Sequence, residues 1–204
     1  MPSFFVFAVY KESHPGGTLH IEGVTLDVAC IGFLHYLILA NPGKRHSVRK
    51  VIMCRCNIGK APTNGDSFST PLGISTTALQ LLILLLQNLP ALVDLDLSSN
   101  YLDNNAFNQI LTCLSAHDIT DLTLEDNLLQ GEEGGRLVHQ FLASCRTLGC
   151  LNNAKNPLGS KGALEVAAGL AQHGNSEDLD IACCEIARAD GDTWSSEGKC
   201  ALRS

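Results

Sequence analysis

One apolar spacing recurs along this chain and limits what it can fold into. Counting from Leu95, apolar residues stand at −3, 0, +2 and +7 (Leu92, Leu95, Leu97, Leu102), with Asn100 at +5. Ile119, Leu122, Leu124, Asn127 and Leu129 repeat that pattern in full. Leu148, Leu151, Asn156 and Leu158 repeat it around a polar intruder, Asn153, at +2. Leu179, Ile181, Cys184 and Ile186 follow downstream. Upstream lie Val48, Val51, Met53, Cys56 and Ile58, and a weaker copy in Leu19, Ile21, Val24 and Leu26. The zero positions are residues 19, 51, 95, 122, 151 and 179, spaced by 32, 44, 27, 29 and 28. A period of this length marks a repeat array.

A second periodicity runs in step with the first. Each copy's apolar alternation reads as a strand, and a helix should follow it with apolar residues at i, i+3, i+4 and i+7. Counting twelve from position zero gives Phe107/Ile110/Leu111/Leu114, Gly134/Leu137/Val138/Phe141 and Ala163/Val166/Ala167/Leu170. The first copy gives Ile31/Leu34/His35/Ile38, and Gly43 reads as the C-cap that ends this helix. In the long second copy the helix is displaced to Ala78/Leu81/Leu82/Leu85, beyond an irregular Pro/Gly/Ser-rich loop over 59–77. A lone strand and helix cannot bury their apolar faces, so neighbouring units stack. Strands sit about 5 Å apart and helices about 10 Å apart, so the stack should bend with its strands on the concave side. Asn at +5 suits a tight turn whose amide bonds the backbone of the adjoining unit, and Cys is a smaller substitute there.

These residues resemble the leucine-rich-repeat family, pattern L-x-x-L-x-L-x-x-N/C-x-L, and the spacings of 27 to 29 point to its ribonuclease-inhibitor type. The stretch from Asn156 through Gly162 to Val166 is similar to repeats of Ran GTPase-activating proteins and of NACHT-type immune sensors. The resemblance implies an α/β leucine-rich-repeat solenoid, a curved horseshoe segment of about six repeats, over residues 1–186. It fails after Ile186, leaving 187–204 as an irregular polar tail around Trp194.

In such an array the side chains at −1, +1 and +3 leave the concave face. They are Thr18, His20, Glu22; Lys50, Ile52, Cys54; Asp94, Asp96, Ser98; Asp121, Thr123, Glu125; Cys150, Asn152, Ala154; and Asp178, Asp180, Ala182. Acids dominate from the third unit onward. The expected partner-binding residues are therefore Asp94, Asp96, Ser98, Asp121, Thr123, Glu125, Asn152, Asp178 and Asp180, facing a protein with a basic surface.

Other chemistries are poorly supported. Paired acids on a solvated strand face lack the burial that would split their pKa values for acid/base work. Cys54/Cys56 and Cys183/Cys184 point to diverging sides, with no histidine at ligand spacing, so no metal or other cofactor is expected. Pro42-Gly43-Lys44-Arg45 lacks the first glycine and the hydroxyl of a phosphate loop. A net charge of −7 disfavours nucleic acid and an anionic membrane. No apolar run reaches the length of a membrane span. Nine scattered cysteines without a signal peptide suggest reduced thiols in the cytoplasm. The expected function is a non-enzymatic scaffold or adaptor. Two alternatives follow from the resemblance: activation of a small GTPase, or a fragment of an immune sensor. The sequence sets no oligomeric state.

Overall fold

The computed structural model describes residues 9–13, 16–59, 68–69, 75–173 and 178–180. Its main sheet begins with β1 (Val9–Ser13) and β2 (Gly16–Glu22). It continues with β3 (Val48–Cys54), β6 (Asp94–Asp96), β7 (Asp121–Thr123), β8 (Cys150–Asn152) and β9 (Asp178–Asp180). The spatial order is β1-β2-β3-β6-β7-β8-β9. The five pairings from β2 to β9 are all parallel, whereas β1 pairs antiparallel with β2 at one edge. The register joins the zero positions directly: Leu19 opposes Val51, Val51 opposes Leu95, and Leu122, Leu151 and Leu179 follow in line.

Helices connect the parallel strands, as parallel pairing requires. They are α1 (Val28–Leu39), α2 (Pro42–Ser47), α3 (Ala78–Gln87), α4 (Asn104–Leu114), α5 (Gly131–Ser144) and α6 (Gly159–His173). Their starts follow from local chemistry. Asp27 and Asp103 cap α1 and α4 by accepting the amide N–H of the residue three further on. Thr77 and Gln80 close a capping box on α3. One apolar cluster joins the inward strand residues to the inner helix faces, from Leu19 and Ile31 through Leu95 and Phe107 to Leu151 and Val166.

Three expectations are corrected. Gly43 is not the C-cap of α1: that helix ends at Leu39, and Gly43 sits inside the separate short helix α2. Pro42 takes the first turn of α2, where its missing N–H costs nothing, and Lys44, Arg45 and His46 fall in the last turn, at the negative end of the helix dipole. The 59–77 loop is not wholly irregular, because β4 (Phe68–Ser69) and β5 (Ser75–Thr76) pair antiparallel within it. Ala154, expected to point outward, is buried. The tail 187–204 lies outside the described residues, as do Ala182, Cys183, Cys184 and Trp194.

The +5 residues behave as their chemistry requires. Asn127 is buried. Its Oδ1 accepts the amide N–H of Asn100 (2.9 Å) and Leu102 (3.1 Å), and its Nδ2 donates to the carbonyls of Leu97, Leu124 and Glu125. Asn100 does the same one unit earlier, accepting Cys56 N–H and donating to Met53 O. Asn156 accepts Leu129 N–H and donates to Leu124 O. At the Cys position, the Cys56 thiol donates to Ile21 O at 3.6 Å and Cys54 O at 3.2 Å, a longer and weaker version of the same tie. Asn153, the polar intruder, is buried and accepts Asn156 Nδ2 at 3.0 Å.

Candidate functional site

The outward residues of β2, β3, β6, β7 and β8 form rows across the sheet. Thr18, Lys50, Asp94, Asp121 and Cys150 make one row, and His20, Ile52, Asp96, Thr123 and Asn152 make the next. Both rows arise because strand side chains alternate, so each −1 and +1 position leaves the face opposite the core. From Asp94 to Asn152 these side chains are half-buried among their neighbours, while the intervening leucines are fully enclosed. Asp178 and Asp180 share the register as backbone, opposite Cys150 and Asn152, and their side chains lie outside the described residues.

The acids of this face are not equivalent. Asp94 is already neutralised by Lys50, Nζ to Oδ2 at 2.6 Å. Glu125 receives Lys155 Nζ at 2.5 Å and Asn152 Nδ2 at 3.0 Å. At the far side Glu22 pairs with Arg55 and with His20. Asp96 instead accepts the backbone N–H (2.9 Å) and hydroxyl of Ser98, an Asx turn that fixes both side chains. Asp121 accepts the Thr120 hydroxyl at 2.7 Å. Among the described residues no Lys, Arg or His lies within ion-pair distance of Asp96 or Asp121. These two carboxylates therefore hold the uncompensated negative charge at the middle of the face.

Beside the rows runs an edge that the strand pattern alone does not reveal. Arg55, Ser99, Asp126 and Lys155 each occupy +4, and each is held in the left-handed region with φ of 55° or 56°. Asn57 and Tyr101 at +6 share that conformation. A hollow of about 400 Å³ opens between them, lined by Arg55, Asn57, Ser99, Tyr101, Asp126 and Leu128. Ser99 Oγ donates to Asp126 Oδ2 at 2.6 Å across two units. The signal that could have found this edge was the +4 column itself, polar or charged in every one of these units.

The Cys54 and Cys56 thiols are poor nucleophiles. Burial pushes the Cys54 thiol up to about 12, with the Asp96 and Glu22 carboxylates adding to the rise. Burial likewise raises Cys56 to about 11. Neither supplies a thiolate near neutral pH. His35, expected in the core, is half-buried with its ring 3.3 Å from Asn88 Nδ2. Among the described residues no three His, Cys, Asp or Glu side chains are grouped to hold a metal ion, and no helix is long and apolar enough to cross a membrane. The arrangement can present ordered charge and hydrogen-bonding groups to a macromolecular surface. No protein-family model matches this chain, and no curated protein matches it.

Proposed function

We propose that the chain is a leucine-rich-repeat solenoid, a curved segment of about six repeats, that acts as a non-enzymatic scaffold and binds a protein partner on its strand face. The observation that carries this reading is the pair Asp96 and Asp121, fixed by hydrogen bonds on adjacent parallel strands and without a cation among the described residues. A basic side chain of a partner, arriving there, meets a preorganised acceptor at little ordering cost. Ser98, Thr123 and Asn152 supply neutral hydrogen-bonding groups around the pair, and Asp178 and Asp180 extend the same register. Asp94 and Glu125, each already bearing a lysine, act as the rim. The partner is a protein, not nucleic acid, no cofactor takes part, and the setting is cytoplasmic.

The test compares affinity capture from cytosol by the wild type, an Asp96→Lys/Asp121→Lys variant and an Asp94→Lys/Glu125→Lys variant, each shown folded by its circular dichroism melt. A partner held by the wild type should lose about tenfold or more in affinity with the central pair reversed, and less with the rim pair. Equal retention by the central-pair variant would sink the assignment. Stimulated GTP hydrolysis by a small GTPase would instead replace the scaffold reading with an enzymatic one.

A further inference from the structure

The outward faces of the helices change character along the chain. On α4 and α5 they carry exposed polar residues such as Asn105, Asn108, Thr112, Glu133, Arg136 and Gln140, as solvated helix faces should. On α1 the outward residues are apolar: Phe33 is 57% exposed, Tyr36 65%, Leu37 40% and Leu39 43%. Leu84 of α3, 43% exposed, extends the patch. It shares a flank of α3 with Leu81 and Asn88, which abut Gly32 and His35 of α1, so it stands at the seam between the two helices. Neither α1 nor α3 contains a charged residue. A helix apolar on all sides is one that expects cover on all sides.

We infer that this face is a homodimer interface, on which α1 of a second copy packs antiparallel to the first. Charge decides the occupant. The ionisable groups bracketing α1 are of opposite sign at its two ends, with the exposed Asp27 carboxylate at the start and Arg45 and His46 just beyond the finish. An antiparallel pair lays each start against the other's finish, so acid meets base twice and the helix dipoles oppose. A parallel pair would stack like charge on like. In such a dimer the patch forms the apolar centre and these charges the rim, in the kind of interface that typically buries about 800 Å² per partner. An anionic bilayer suits the basic end but not the rest of the molecule, whose net charge is −7 and whose other outer helices bear Glu132, Glu133 and Glu165. The inference uses the helical side of the molecule and does not depend on the strand-face proposal.

Sedimentation of the full chain over a hundredfold concentration range should show mass rising from one chain to two. Tyr36→Ser/Leu37→Ser, which alters only exposed positions, should hold it at one. Asp27→Asn keeps an oxygen for the Cys30 amide while removing the charge, and should weaken the dimer by about three- to tenfold at low salt and little at high salt. A wild type that stays monomeric throughout overturns the inference. So does a dimer indifferent to Tyr36→Ser/Leu37→Ser. A monomer that instead sediments with phosphatidylserine vesicles assigns the face to lipid and overturns it as well.

Discussion

Asn127 shows how much of the fold can hang on one side chain. Its amide satisfies two buried N–H groups and three carbonyls drawn from two successive turns. The three carbonyls keep other donors, but truncation leaves the Asn100 and Leu102 N–H groups buried without a partner, so Asn127→Ala should cost about 3 kcal/mol, read from urea unfolding midpoints. Asn127→Cys should cost less, since Cys56 fills the equivalent place with a thiol. The thiols bring a pH effect of definite sign. Below about pH 9 the folded and unfolded chains both keep the Cys54 and Cys56 protons. Above the ordinary thiol value of 9.0 the unfolded chain ionises first, while burial holds the folded thiols to about 12 and 11. Stability should therefore fall as pH rises from about 9 towards 11, seen as a declining melting temperature, and Cys54→Ala should flatten the decline. At this scale the sequence was readable where position determines contact: the +5 asparagines, the enclosed leucines and the outward acids. The ion pairs were not readable. Lys50 meets Asp94 across 44 residues and Lys155 meets Glu125 across 30, and their reach along the sheet leaves no mark in a single strand's pattern.

Between elements, the tightest contact is that of α5 with α6. A Cβ on Gly135 would overlap the Gly162 backbone, and one on Gly162 would overlap the Gly131 carbonyl. No rotamer relieves a clash between backbones. Gly135→Ala should thus destabilise by about 2–3 kcal/mol, checked by thermal unfolding, and should loosen amide exchange protection in α5 and α6 before the other helices. Gly43 provides the contrast. Its Cβ would meet open space inside α2, so Gly43→Ala should be neutral or slightly stabilising, where a true C-cap glycine would resist the change. The repeating strands and helices were legible because two periods, one for each element, ran in step. The elements that escaped lack a period: α2 has six residues, and β4 and β5 have two each. The antiparallel β1 stands outside the repeat altogether, so the spacing of the copies says nothing of it.

For the whole molecule, a single net charge concealed the distribution that matters. No acidic residue occurs between Asp27 and Asp66, while six basic ones do, and the acids gather on the strand face and the later helices. The sum of −7 is thus a difference between unlike regions. That is why the net charge gives no warning that another face is apolar, with an acid at one end and cations at the other. The row at +4 has a consequence of a different kind. Glycine would adopt the left-handed turn at Arg55, Ser99, Asp126 and Lys155 without strain, yet each position carries a side chain that reaches a neighbour. The backbone path there is dictated by the buried asparagine ladder rather than by the residue standing on it. Those four sites therefore behave as sockets: mutation can rewrite the outward letters one at a time while the frame beneath stays put, so recognition can evolve along this edge without renegotiating the fold.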